Sequence, residues 1–191
     1  MQKKRISTFE IIVICILAAA AIAAAAAGYR YLHRKDAAAS ADAVVQSMKQ
    51  IIPGLGTETD IDMGDGKDPL SVMTVDGMDV VGCLEIPSIG IMTPVTAKDK
   101  GADGFASYES GSAVKGKLML TGNKADVFSD IASLKPGDKA VFTDVDGVRY
   151  RYRVLTQFHL KKWDEADYDL MLYYNTDSKT RFVVGLNRDP N

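Results

Sequence analysis

The chain has 191 residues, a formal net charge of −2 and 47% hydrophobic residues, which suits one compact domain with a tether and falls short of two full domains. A charge this near neutral excludes the clear basic excess of a nucleic-acid binder. Two cysteines, Cys15 and Cys83, and two histidines, His33 and His159, are too few and too scattered for a disulfide framework, a zinc site or a di-iron centre, so no cofactor or metal is expected.

Lys3, Lys4 and Arg5 precede an unbroken apolar run, Ile11 to Ala27, and Arg30, Arg34 and Lys35 follow it. A helix needs ~17–25 apolar residues to cross a bilayer, so 1–35 reads as a cytoplasmic tip and a single transmembrane signal anchor. Ile11 to Leu17 carry most of the drive for insertion, because the second half is nearly all alanine. A cleaved signal peptide is the alternative, since the alanines ending at Gly28 offer many small-residue cleavage sites. Basic residues balance on the two flanks, and only the terminal amine tips the N-terminus inward. The body is expected outside the cell membrane.

Residues 36–79 read as a helical stalk and an acidic linker. Val44, Val45, Met48, Ile51 and Ile52 repeat at helical spacing, and Pro53-Gly54 ends the helix. The following segment is rich in Gly and Asp. Asp60, Asp62, Asp65 and Asp68 suggest a calcium loop, yet Asp65 stands where such a loop needs Gly and Ser71 where it needs Glu. A solvated linker fits better.

The body, 80–191, alternates strand and turn signals. VVGCLEI and IMTPV are strands around Pro87 and Gly90, and KLMLTG is a third. Val127, Phe128, Ile131 and Leu134 predict one short helix, closed by Pro136-Gly137. DKAVFTDV leads into a hairpin at Asp146-Gly147. On the return strand Arg149, Arg151 and Arg153 face one way, and Tyr150, Tyr152 and Val154 the other. The arginines are either a solvated face or a basic ridge for anionic wall polymers. RFVVGL is the last strand. The fold class is therefore mainly β, a small and mostly antiparallel β-barrel with one short helix.

This order of features resembles the sortase family, membrane-anchored cysteine transpeptidases outside Gram-positive cells. VGCLEIPSIGIMTPV resembles the family's opening, KLMLTGNKADVFSDIASLKPGDKAVF its central block, and DVDGVRYRYRV the hairpin after it. The resemblance implies a cysteine thiolate that attacks a sorting signal, a histidine as acid and base, and an arginine for the oxyanion. At the histidine position stands Asn123, whose amide cannot carry a proton near neutral pH. Two registers compete for the cysteine strand. With FVVGL, Leu186 takes the cysteine position beside Asn187, and the chain ends before the arginine strand. With LMLYYN, Asn175 takes that position and Arg181 becomes the arginine. Trp163 falls where the family carries a loop lining its groove, either as ligand contact or as packing beneath the loop.

The resemblance thus implies a sortase-like pseudoenzyme at the cell wall, with Asn123, Leu186, Asn187, Trp163 and Arg181 as vestigial-groove candidates. Its expected partners are the membrane, surface-protein sorting segments, pilins or a complete sortase. The alternatives are an active cysteine enzyme with its chemistry relocated to Cys83, and a truncated copy without function. In the first strand, Cys83 reads more readily as a small core residue.

Overall fold

The computed structural model describes residues 8–57, 65–97, 104–161 and 167–189. The chain divides into two compact units, Met1–Asp36 and Ala37–Asn191, and helix α1 (Thr8–Ile51) contributes to both. In the first unit, Ile14, Ile16, Leu17 and Ile22 are exposed, and Lys35 lies 4.9 Å from the Tyr31 ring centroid. Among the described residues no helix is long and apolar enough to cross a membrane. That corrects the expected transmembrane anchor. Strongly apolar side chains are confined to the first half of the run, and alanine contributes little to transfer. Lys3, Lys4 and Arg5 lie outside the described residues.

In the second unit α1 is not a free stalk. Ala41, Val44, Val45, Met48 and Ile52 form one stripe, buried with Leu55, Val75, Val80, Cys83, Phe105 and Val145. Each large side chain in such a stripe stabilises the packing by about 1.5–3 kcal/mol.

The body is one nine-stranded sheet: β1 (Met73–Val75), β2 (Met78–Ile86), β3 (Ile91–Thr96), β4 (Ala106–Ser112), β5 (Gly116–Thr121), β6 (Lys139–Asp144), β7 (Arg149–Leu160), β8 (Leu170–Asn175) and β9 (Arg181–Arg188). The strands run in the order β1-β2-β3-β4-β5-β8-β9-β7-β6, and β2 also pairs with β6. The expected small, mostly antiparallel barrel is corrected to this mixed sheet, in which β3–β4 and β5–β8 are parallel. The expected short helix is also corrected. Residues 127–134 hold only a 3-10 turn at Ile131–Ser133, with Phe128 and Ile131 filling the core.

Strand β4, ASYESGS, gives no strand signal in its sequence. It is recruited by backbone pairing to β3 on one side and β5 on the other. Strand β9 is likewise paired on both sides, to β7 and β8, so it leaves no open edge of the kind a truncated sheet would show. Along β7, Tyr150, Tyr152 and Val154 are buried and the three arginines half-buried, as the alternation predicts.

Residues 65–72 are fastened across the β6–β7 hairpin. Gly66 adopts φ +74 against the Tyr150 hydroxyl and leaves no room there for a Cβ. Lys67 pairs with Asp146 at 2.9 Å, Ser71 donates to Asp146 at 2.7 Å, and Lys115 pairs with Asp68 at 2.6 Å. The Lys115 hydrogen bond holds Asp68 below its ordinary value, and the Ser71 hydrogen bond does the same for Asp146. Burial pushes the neighbouring Asp144 up, although it accepts from the Val148 N–H at 2.8 Å and the Tyr150 hydroxyl at 3.2 Å.

Two outcomes are expected. Met48→Ala lowers unfolding free energy by about 2–5 kcal/mol in urea titrations, because the stripe cannot close over the void. Asp146→Asn lowers Tm at neutral pH by roughly a few degrees at most. Because the native carboxyl is depressed, its contribution is present above the unfolded value and lost as pH falls. The gap between variant and native protein in thermal melts therefore closes below about pH 3–4.

Candidate functional site

Strands β5 and β8 run side by side in parallel, with Leu118 opposite Leu170 and Thr121 opposite Tyr173. The Gly122 N–H extends this ladder by donating to the Tyr173 carbonyl at 3.1 Å. Asn123 comes next. Its Oδ1 accepts from the Ala125 N–H at 2.8 Å, and its carbonyl accepts from the N–H groups of Asp126 at 3.1 Å and Phe128 at 3.0 Å. This Asx-type turn is locked by the buried Phe128 ring.

On the neighbouring strand, β8 ends at Asn175, directly opposite Arg181 at the start of β9. Asn123, Asn175 and Arg181 therefore lie at the same end of adjacent strands. The Arg181 guanidinium carbon is 5.8 Å from the Tyr173 ring centroid. Burial and the Glu109 charge raise the Tyr173 phenol, against lowering by Thr121 and Arg181. Both asparagines are exposed, while Tyr173 is a buried floor.

Leu186 and Asn187 are not part of this end. Leu186 is fully buried in the main core, opposite Leu170 on one side and Val154 on the other. Asn187 sits across from Arg153, and its Oδ1 accepts from the Asp169 N–H at 3.4 Å. Five residues of strand, about 17 Å, separate Leu186 from Arg181. The strand beside β5 is LMLYYN, not FVVGL. Trp163 lies outside the described residues.

Cys83 and His159 are not brought together. Cys83 pairs with Thr143 on β6, under the apolar stripe of α1, and burial pushes its thiol far up. A thiol held neutral in an apolar layer is not a nucleophile. Thr143 lies opposite Arg149, and His159 is about 30 Å further along β7 at strand rise. The His159 ring is exposed and packs edge-on to Phe182 at 5.4 Å. The arginine ridge is partly spent on the chain itself: Arg149 donates to the Thr57 carbonyl at 2.6 Å, and Arg153 pairs with Asp189 at 2.8 Å.

A feature not legible from single strands is a second apolar layer. Met171, Tyr173 and Val183 pack with Met119, Phe158, Leu160 and Tyr168 in a cluster separate from the main core. The Tyr168 ring lies 2.9 Å from where a Cβ on Gly185 would be, so only glycine admits it. Strands β8 and β9 are apolar in succession because both of their faces are covered. Among the described residues no group of three or more His, Cys, Asp or Glu could hold a metal ion. Of the acidic linker, Asp68 is engaged by Lys115, and Asp60 and Asp62 lie outside the described residues.

No protein-family model and no curated protein matches the chain. Solved structures do. Sortase C1 of GBS pilus island 1 is 18% identical, with 79% of this chain and 93% of that chain covered and a TM-score of 0.55. Sortase C1 from Streptococcus suis is 22% identical, with 59% of this chain and 74% of that chain covered and a TM-score of 0.50. The fold is that of the sortases. Within this sortase fold, one strand end gathers two amides and a guanidinium, and the one thiol of the body is buried on a different strand.

Thiol labelling reads this arrangement directly. In the folded chain Cys83 resists alkylation and reacts only on unfolding. An Asn175→Cys variant gains an exposed thiol that is alkylated in the native state, by mass spectrometry at least roughly a hundredfold faster than Cys83, because attack on the latter requires opening of the helix layer.

Proposed function

We propose that this chain is a cell-envelope accessory on a sortase fold that binds extended peptide segments or a partner protein and carries out no transpeptidation. The observation that carries the reading is the pairing of β5 with β8, which sets Asn175 beside Asn123 and opposite Arg181. A thiol nucleophile and its proton carrier must lie within hydrogen-bond reach of each other. By that requirement the strand ending next to residue 123 is the one to carry the nucleophile. On this reading Asn175 occupies the cysteine position, Asn123 the histidine position, and Arg181 keeps the arginine.

An amide is neither a thiolate nor a base near neutral pH, so this set cannot form or resolve a thioester. It retains what a peptide main chain needs: amide donors and acceptors at an exposed strand end and a cation to meet a carbonyl oxygen. Chemistry relocated to Cys83 is disfavoured by the same geometry, since the thiol is buried and far from His159 along the sheet. The reading places the body at the outer face of the envelope, among sorting segments, pilins or a complete sortase.

The test pairs binding with turnover. Incubated with a panel of sorting-signal peptides and an amine acceptor, the purified chain is expected to give no cleaved or transferred product by mass spectrometry, and to bind a subset by fluorescence anisotropy. Product formation abolished by Cys83→Ala would overturn the reading. The single change Asn175→Cys is expected to leave turnover absent, because residue 123 still lacks a proton carrier.

A further inference from the structure

The strand order β5-β8-β9-β7 brings together, at one end of the sheet, the end of β5, the end of β8, the start of β9 and the end of β7. Four cations are carried there. Lys124 follows Asn123, with its Nζ 5.4 Å from the Tyr174 ring centroid. Arg181 stands over Tyr173. Lys161 follows Leu160, the residue paired with Arg181, and Lys179 lies in the turn between β8 and β9. The three lysines are exposed.

The acidic groups at this end are Asp126, Asp177 and, from β4, Glu109. Asp177 is committed to its own turn: Oδ1 accepts from the N–H groups of Lys179 at 2.7 Å and Thr180 at 2.8 Å. Glu109 acts on Tyr173 from the neighbouring strand. In a chain of net charge −2, this collection of cations is local. Two exposed amides, Asn123 and Asn175, stand among them. The Oδ1 of Asn123 is taken by Ala125, so its remaining side-chain capacity is as a donor.

We propose that this strand-end cluster receives the free α-carboxylate of an extended peptide. The inference rests on the peptide-binding reading above and specifies which part of the peptide is recognised. An internal peptide bond has no net charge for several cations to complement; a chain terminus does. A planar guanidinium above an aromatic ring presents paired N–H donors that match the two oxygens of a carboxylate, and amide donors extend the set. No thiol stands at the end of β8 to attack the terminus, so the outcome is capture rather than transfer.

The test uses the full chain and short random peptides, each synthesised as a free acid and as a C-terminal amide, with binding read by fluorescence anisotropy. Free acids are expected to bind at least roughly tenfold more tightly than their amides. That preference should shrink as salt rises, since the lysines are solvent-exposed. Arg181→Gln is expected to abolish the preference, and the exposed Lys124→Gln to reduce it in a chain whose melting transition is unchanged. Equal binding of acid and amide overturns the carboxylate inference and leaves the peptide-binding reading standing. Binding of neither form, across the whole set, overturns both. An undiminished preference in both variants places the carboxylate elsewhere and overturns the assignment to this cluster.

Discussion

The parallel ladder between β5 and β8 is the constraint from which the candidate site follows. Its pairings run from Leu118–Leu170 to Thr121–Tyr173, with Gly122 adding one more backbone bond. Parallel strands cannot be joined by a tight turn, so the chain between them must leave the sheet, build β6 and β7, and return. The return fixes which residues lie beside Asn123. Because β8 arrives in this register, Asn175 and then Arg181 stand at the same end. A one-residue slip would exchange the two faces of β8 and put Leu170, Leu172 and Tyr174 outside the main core. The burial of both faces leaves the register no freedom.

The second organising contact is the packing of α1 on β2. It turns a stripe of small and medium apolar residues into a cover for one face of the sheet, and it decides the chemistry of Cys83. The cysteine has apolar neighbours from the helix and Thr143 across the ladder, and it remains a neutral thiol. Helix and candidate site are thus separated in role. One side of the body is closed by α1, while the β5–β8–β9 end presents amides and cations to solvent.

Much of the fold was legible in local pattern. The helical stripe from Val44 to Ile52, the stop at Pro53-Gly54, the Asp146-Gly147 hairpin and the Tyr150–Tyr152–Val154 face all appear where periodicity and turn chemistry put them. The ordered blocks around VGCLEIPSIG and KLMLTGN pointed to the sortase fold that the solved structures then supported. Strand β4 was not legible, because ASYESGS is polar and gains strand geometry only from partners on both sides. The supposed helix at 127–134 has helical spacing but serves as an irregular turn pinned by Phe128 and Ile131. The apolar run near the N-terminus read as a span because its length was right, although alanine supplies too little apolar character in its second half.

By itself, the sequence determined which residues stand in each strand, that Asn123 follows KLMLTG, and that the body holds a single cysteine at position 83. Those facts are local and do not depend on partners. It left two strands, LMLYYN and FVVGL, as equal claimants for the place beside Asn123, since both are apolar throughout and neither carries a thiol. Only the tertiary structure separated them. Hydrogen bonding between strands distant in sequence set β8 against β5 and β9 beyond it, which carried Leu186 into the core and brought Asn175 and Arg181 to the exposed end. Periodicity states whether a strand is buried; long-range backbone pairing states beside whom, and the chemistry of this site depends on the second.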